Sequence, residues 1–289
     1  MKILILGSKG QLGQCLIDQL IRTNYDVVYT SRDQIDIADF SRTKRLLLEL
    51  SPDLVINAAA YTAVDKAEED DLQANLINNL AVANIAKICW KLDCWLFHVS
   101  TDFIFDGDSS LPYKESDQAN PLGVYGQSKL MGEESIQASS CKYLIFRTAW
   151  VFSQYGNNFL KTMLRLGETH EVVRVVDDQI GCPTAAHDIA RVMISIIPYL
   201  ESKESSSGIY NICSDNPCSW YDFARKIFKV AEAAGFPTPK NVYPISSSEY
   251  PYKTPRPSYS VLNCSKIHKK FNVEPLSLEE SILKVISKL

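Results

Sequence analysis

The sequence predicts an α/β fold in which helices cover both faces of a doubly wound parallel sheet, with a smaller, partly discontinuous C-terminal lobe. Three observations lead to this prediction. Short, almost wholly apolar runs, such as residues 2–6 and 54–57, suit strands that are buried on both faces. Segments with apolar residues at helical spacing alternate with these runs. The last quarter is rich in proline, from Pro237 to Pro257, which is typical of irregular structure.

Composition narrows the class of protein. The 289 residues are 46% hydrophobic and 22% charged, and the formal net charge is −4. This length suits one large domain with an appendage. The chain has no basic run that would favour nucleic acid or an anionic membrane as a partner. The apolar opening stops at Gly7, far short of a signal-peptide core or a membrane span, so we expect a cytoplasmic protein.

Cysteine and histidine show no metal-binding pattern. The eight cysteines include no CxxC pair and mostly lie in apolar runs, where reduced core cysteines are expected. The four histidines have no metal-ligand spacing. Glu279 and Glu280 are neighbours in the last predicted helix, and such a pair normally forms a solvated face. We therefore predict no metal.

The first strand leads into the clearest binding motif. Residues 2–6 are followed by Gly7, Gly10 and Gly13 and then by leucines and isoleucines at helical spacing. Missing side chains let the backbone approach a pyrophosphate at the positive end of a helix. The order of strand, glycine turn and helix therefore predicts a Rossmann-type dinucleotide site, which also includes Gln11 and Leu12 between the glycines.

The second predicted strand, residues 25–30, ends where the adenosine ribose should lie. Ser31, Arg32 and Asp33 follow it directly. An acidic side chain suits the 2′-hydroxyl of NAD, whereas an arginine and a hydroxyl suit the 2′-phosphate of NADP. We favour NADPH because Arg32 and Ser31 come first, and Asp33 is the argument for NADH. A helix over residues 40–50 comes next.

The third and fourth strands deliver further candidates to the same edge of the sheet. Residues 54–57 lead into small residues that leave room for a ligand. A helix predicted over residues 72–92 carries Asn78, and the strand over residues 95–99 then leads to Thr101 and Asp102. The cofactor candidates from these two strand ends are Ala58, Ala60, Tyr61, Thr62 and Val99.

Tyr125 and Lys129 are the candidate catalytic pair. Positions four apart lie on one face of a helix, so the ammonium of Lys129 should lie near the phenol of Tyr125. A nearby positive charge lowers a phenol pKa from near ~10 and makes the tyrosine a usable proton donor or acceptor. The hydroxyl of Thr101 could hydrogen-bond a substrate carbonyl beside it. The YxxxK pattern alone is weak evidence.

The later segments are predicted to alternate between two parts of the molecule. Strands are expected over residues 143–147, 172–176 and 209–213, with the last returning to the main sheet after a helix and a serine-rich linker over residues 202–208. We assign residues 1–150 and about 172–213 to the nucleotide-binding part. Residues from about 151 to 171 and from 214 to 289 form the predicted lobe.

Several strings resemble the dTDP-4-dehydrorhamnose reductases of the extended short-chain dehydrogenase/reductase superfamily. They are GxxGQLG, NAAAYTAVDKAE, STDFIFDG, VYGQSK, FRTAWVF and GNNFLKTMLRL. The resemblance covers residues 1 to about 263 and is weakest in the last quarter. It implies reduction of the 4-keto group of dTDP-4-dehydro-L-rhamnose to dTDP-L-rhamnose with NADPH or NADH.

The resemblance also implies residue roles. Tyr125 donates a proton to the carbonyl oxygen that Thr101 polarises, and Lys129 holds the nicotinamide ribose. Asp36 and Ile37 occupy positions that contact the adenine. Nucleotide-sugar contacts are implied for Asp102, Trp150 and Arg256, and an arginine can bind a diphosphate through two nitrogens.

Three alternatives stay open. The chain could reduce another nucleotide-linked 4-keto-deoxysugar, or it could be a non-catalytic NADP-binding subunit resembling the regulatory subunit of methionine adenosyltransferase. An epimerase-reductase needs a further acid/base pair, for which Cys182 and His187 have no convincing spacing. A dehydratase is disfavoured because Phe103 replaces the glutamate of the Thr-Asp-Glu run. Some members of the family dimerise through a metal bound near the C-terminus, so the resemblance leaves a homodimer open.

Overall fold

Helices and strands alternate through most of the chain in this computed structural model, which describes residues 1–201, 207–251 and 254–289. The strands are Lys2–Leu6 (β1), Asp26–Thr30 (β2), Leu54–Asn57 (β3), Trp95–Thr101 (β4), Lys142–Thr148 (β5), Val151–Phe152 (β6), Val172–Val176 (β7), Ile180–Gly181 (β8), Thr184–Ala185 (β9), Gly208–Asn211 (β10), Cys218–Ser219 (β11) and Asn241–Ile245 (β12). The α-helices are Gln11–Leu20 (α1), Phe40–Leu50 (α2), Val64–Ala67 (α3), Asp71–Asn75 (α4), Ala81–Leu92 (α5), Val124–Ala138 (α6), Phe159–Thr169 (α7), Ala186–Ile196 (α8), Trp220–Ala233 (α9), Ser265–Phe271 (α10) and Leu278–Ile286 (α11).

Six strands form a parallel sheet in the order β10-β5-β4-β3-β1-β2. The direction in which strands are added reverses between β1 and β3. Open α/β sheets bind ligands in the crevice beyond the carboxyl ends of such strands. The predicted parallel α/β fold is therefore confirmed, including the return of the chain to the sheet at β10.

Helices pack on both faces of this sheet, as the sequence predicted. On one face, α1 and α8 contribute buried residues such as Leu16 and Ile189 to a core that includes Ile5 of β1. On the other face, α2 and α5 contribute Leu47 and Ile85. Burial of these two apolar helix faces stabilises the doubly wound arrangement.

A separate apolar core lies in the C-terminal part and joins α7, α9 and α11 to β7. The hydrogen bonds of β7 run to β12 and not to the central sheet. The sequence-based assignment of residues 172–176 to the nucleotide-binding part is therefore wrong for this strand, although the overall domain division remains a prediction. The lobe is also more regular than its prolines indicated. Most of the predicted serine-rich linker, residues 202–206, lies outside the described residues.

A buried ion pair ties α6 to β5. Arg147 donates to Glu133 through Nε at 3.0 Å and through Nη2 at 2.7 Å. Arg147 is 4% exposed and Glu133 is 0% exposed. The guanidinium also donates to the carbonyl of Glu115 at 3.3 Å and lies 5.5 Å from the ring centre of Phe105. Two-pronged contacts of this kind fix orientation, so the pair sets the position of α6 against the sheet.

The helix predicted over residues 72–92 is interrupted in its middle. A π-helical turn over Leu76–Leu80 separates α4 from α5. Such turns add a residue to a helix and often occur at functional sites. Among the described residues, no helix is both long and apolar enough to cross a membrane.

Candidate active site and nucleotide-binding crevice

The glycine turn after β1 lies against the end of β3. Gly7 has a φ of 85°, and a Cβ on it would lie 2.6 Å from the backbone nitrogen of Ala59. A Cβ on Gly13 would overlap the carbonyl oxygen of Gly7. Both positions therefore need glycine, because a side chain would push the turn away from its neighbours. The predicted backbone cradle is present at the start of α1.

Two candidates in this turn direct their side chains inward. Leu12 is buried in the core, so only its backbone can contribute to a phosphate site. The amide oxygen of Gln11 accepts hydrogen bonds from Ser153 at 2.8 Å and from Asn158 at 2.9 Å. Gln11 therefore ties the turn to the segment after β6.

Charged side chains surround the end of β2. Ser31 is 4% exposed, and its backbone N–H and its hydroxyl both donate to the side-chain oxygen of Gln34. Arg32 is exposed and donates to Asp36 at 3.2 Å. Lys9, in the glycine turn, bonds to Asp33 at 2.5 Å and lowers the pKa of that carboxyl. Lys9 was not among the site residues predicted from the sequence.

The adenine candidates flank this end of the sheet. Asp36 accepts from the backbone of Ala38 at 3.0 Å, besides its contact with Arg32. Ile37 is only 5% exposed and packs into the core formed by α2 and α5. Its side chain therefore supports the edge of the crevice from behind.

The loop after β3 is held by the π-helical turn. Asn78 accepts from the backbone N–H of Tyr61 at 2.9 Å and donates to the carbonyl of Tyr61 at 3.0 Å. It also donates to the hydroxyl of Ser128 on α6 at 3.0 Å. Ala60 and Thr62 beside it are exposed at the rim, and Ala58 is half-buried. Asn78 therefore couples the loop to the helix that carries Tyr125.

Thr101 and Tyr125 meet beyond the carboxyl end of β4. The Thr101 hydroxyl lies close enough to the phenol of Tyr125 to act on its pKa, which it lowers. Thr101 also donates to Asp102 at 3.1 Å and accepts from the backbone of Phe103 at 3.2 Å. A Cβ on Gly126 would overlap the carbonyl oxygen of Phe103, so this glycine allows α6 to approach closely. The structure thus brings the two predicted groups together.

Lys129 lies on the same helix, but its ammonium is directed into the sheet. Nζ donates to the carbonyl of Val99 at 2.6 Å and lies 3.2 Å from Nε2 of His98. Burial raises the pKa of Tyr125 to about 12. The predicted lowering of this phenol pKa by Lys129 is therefore wrong for the arrangement seen here, because the lysine bonds to β4 instead. The carbonyl of Val99, a cofactor candidate, is occupied by the same contact.

Asp102 is a buried carboxyl next to the candidate acid. It is 1% exposed, and burial raises its pKa to about 6. Its charge acts in turn to raise the pKa of Tyr125. Near neutral pH, Asp102 therefore titrates within hydrogen-bonding reach of Thr101.

The two remaining substrate candidates lie where the lobe meets the sheet. Trp150 follows β5 with a φ of 47° and stacks on Trp220 of α9, with ring centres 3.5 Å apart and planes 4° apart. Arg256 donates to Asp65 of α3 at 2.8 Å, across 191 residues of sequence. This ion pair joins the C-terminal part of the chain to the string NAAAYTAVDKAE, which contains Asp65.

Two buried polar groups behind the site were not predicted from the sequence. Nδ1 of His98 on β4 lies 3.2 Å from Nδ2 of Asn57 on β3, and both residues are buried. A lone histidine in an apolar strand gives no spacing signal. The position of His98 as the fourth residue of a predicted strand shows only that it lies within the sheet.

Comparison with known proteins assigns the family. The family model described as the RmlD substrate binding domain matches residues 1–289. A dTDP-4-dehydrorhamnose reductase of Sinorhizobium fredii is 36% identical over 288 residues, covering 99% of this chain and 97% of the relative. A crystal structure of a dTDP-4-dehydrorhamnose reductase from Clostridium acetobutylicum matches with a TM-score of 0.92 at 37% identity, covering 100% of this chain and 99% of that one. The crystal structure of a Bacillus anthracis dTDP-4-dehydrorhamnose reductase in complex with NADP matches with a TM-score of 0.93 at 34% identity, covering 100% of this chain and 99% of that one. The chain therefore belongs to the dTDP-4-dehydrorhamnose reductase family.

Proposed function

We propose that this protein reduces the 4-keto group of dTDP-4-dehydro-L-rhamnose to give dTDP-L-rhamnose, with NADPH as the preferred reductant. The observation that carries the proposal is that the Tyr125 phenol lies beside the Thr101 hydroxyl at the carboxyl end of β4, close enough for the hydroxyl to act on the phenol pKa. It supports a proton donor and a carbonyl-binding hydroxyl at the edge where such sheets bind ligands. Family membership supports the substrate.

The glycine turn fits a dinucleotide. Gly7 and Gly13 keep the backbone free of side chains at the start of α1, where a pyrophosphate is favoured. Lys9 and Arg32 place two cations near the predicted ribose position, which favours a 2′-phosphate. The NADP complex of the Bacillus anthracis relative supports the same preference. When bound, NADPH would supply the hydride.

The protein's own groups would handle the proton and the substrate. Tyr125 holds its proton at neutral pH because its pKa is about 12, so it can donate to the carbonyl oxygen of the sugar. Thr101 would hydrogen-bond the same oxygen, and Lys129 would bind the nicotinamide ribose. Asp102 would contact the sugar.

The nucleotide sugar would extend from this point toward the lobe. We propose that Trp150 packs against the nucleotide sugar from the end of β5. Arg256 would bind the diphosphate and exchange its present contact with Asp65 for that anion.

The proposal is tested by incubating the purified protein with dTDP-4-dehydro-L-rhamnose and either NADPH or NADH. Nicotinamide oxidation is followed by absorbance, and the sugar product is identified by NMR. We expect dTDP-L-rhamnose, with NADPH used more efficiently than NADH. Cofactor binding in a thermal-shift assay without any turnover would instead indicate a binding subunit. Turnover only with a different 4-keto sugar would reassign the substrate.

The Tyr125→Phe variant tests the chemical role directly. It removes one oxygen and keeps the ring that packs against Phe103. General acid catalysis contributes typically ~10²–10⁴-fold, so we expect kcat to fall by at least about 100-fold while NADPH affinity stays nearly unchanged. A near-normal kcat would show that Tyr125 is not the acid.

A further inference from the structure

A line of three buried polar side chains runs from the sheet to α6. Nδ1 of His98 lies 3.2 Å from the amide nitrogen of Asn57, and Nε2 of His98 lies 3.2 Å from Nζ of Lys129. Asn57 is 1% exposed, His98 0% and Lys129 2%. The proposed function uses only Lys129, so the other two polar groups are buried without an assigned role.

This line contains more hydrogen-bond donors than it can accommodate in ordinary protonation states. A neutral imidazole has one N–H and one acceptor nitrogen, and an imidazolium has no acceptor. The amide nitrogen of Asn57 and the ammonium of Lys129 are both donors. One neighbour of His98 must therefore accept a hydrogen bond from the ring.

The backbone decides which neighbour accepts. The side-chain oxygen of Asn57 accepts from the N–H of Ala59 at 3.2 Å. Turning the amide over would place its NH₂ group against that N–H. The NH₂ group therefore faces His98 and donates to Nδ1, which leaves the ring proton on Nε2, directed at Lys129.

We propose that Asn57 and His98 form a positioning pair that fixes the Nε2–H tautomer of His98 and thereby favours the neutral amine of Lys129. The amine accepts from Nε2–H while it donates to the carbonyl of Val99 at 2.6 Å. This inference rests on the proposed function, in which Lys129 acts beside Tyr125. Its consequence is that Lys129 changes its protonation state near neutral pH, so the ammonium proposed to bind the nicotinamide ribose is lost at a lower pH than for an ordinary lysine.

The charges around the line agree with this protonation. Burial lowers the pKa of His98 well below its usual range, which keeps the ring neutral. Burial lowers the pKa of Lys129 to about 8, and Glu133 on the same helix opposes this shift. Glu133 is itself bound by Arg147 of β5. From the 3-10 helix after β4, the charge of Asp102 acts on the neighbouring tyrosine.

The tautomer can be observed without substrate or cofactor. In protein labelled with ¹⁵N in histidine, protonated and bare ring nitrogens have well-separated chemical shifts. The His98 signals are identified by their loss in the His98→Gln variant. We expect the proton on Nε2 across neutral pH. A proton on Nδ1, or a doubly protonated ring, would overturn the proposal whether or not the protein proves to be a reductase.

The pH dependence of kcat tests the consequence for Lys129. Glutamine at position 98 can place an N–H near the position of Nε2 and an oxygen toward Asn57, so His98→Gln should keep the alkaline limb of the wild-type profile. His98→Leu removes the donor to the amine and should move this limb upward by roughly half to one pH unit, the effect of one hydrogen bond. An alkaline limb that stays in place in His98→Leu, or that moves equally in both variants, would overturn the proposal.

Discussion

Removing the charge of Glu133 should destabilise the fold severely, because the residue is fully buried. Glu133→Gln keeps the shape of the side chain and removes the carboxylate that Arg147 binds through Nε and Nη2. Breaking a buried pair by changing one partner costs about 3–5 kcal/mol, because the other charge stays buried. Arg147 keeps its hydrogen bond to the Glu115 carbonyl and its contact with the Phe105 ring, so we expect a loss of unfolding free energy at the lower end, about 3 kcal/mol. That is a large part of the ~5–15 kcal/mol stability of a typical protein.

The measurement is urea unfolding followed by circular dichroism. Asp93→Asn is the matched control because it breaks the exposed pair of Asp93 with Lys142, at 2.8 Å, and should cost less than about 1 kcal/mol. The double variant Glu133→Leu/Arg147→Met removes both buried charges and should recover most of the loss. A loss below about 1 kcal/mol in Glu133→Gln, or a double variant that is no better than the single one, would refute the reasoning.

Three further outcomes are expected. Asp102→Asn removes a carboxyl whose pKa in the folded protein, about 6, lies above its unfolded value of 3.8. The wild-type protein should therefore lose up to about 3 kcal/mol of stability relative to the variant as the pH rises through this window. Urea unfolding between pH 4 and 8 checks this, and a pH-independent difference would contradict it. Arg32→Ala should raise the KM for NADPH about tenfold and leave that for NADH nearly unchanged, since one charge-assisted contact to a 2′-phosphate is lost; equal effects in steady-state kinetics would exclude that contact. Gly181→Ala places a methyl group 2.5 Å from the ring of Trp150, so the KM for the nucleotide sugar should rise while NADPH affinity, measured by fluorescence titration, is maintained; loss of NADPH affinity would argue against a substrate role for Trp150.

Sequence predicts the groups whose positions follow from local pattern. The glycine turn, Thr101 at a strand end and Tyr125 at the start of a helix are each placed by a short run of residues and by the common direction of parallel strands. These groups come together at one edge of the sheet once the order of the strands is known. Family membership likewise follows from contiguous strings.

Sequence does not predict the contacts made between distant segments. The i, i+4 spacing correctly places Lys129 on the face of Tyr125, but a backbone carbonyl of β4 and His98 determine where its ammonium points. The pairing of β7 with β12 also depends on packing in the lobe, which no local pattern encodes.

The π-helical turn at Leu76–Leu80 makes the crevice sensitive to chain length. Its extra residue shifts the helical register of the residues that follow. Asn78 can therefore bind both the backbone N–H and the carbonyl of Tyr61 while α5 still packs its apolar face on the sheet. Deleting one residue there would restore an ordinary helix and rotate either the asparagine or that stripe out of place. In this segment a small length change would therefore damage the crevice more than most single substitutions.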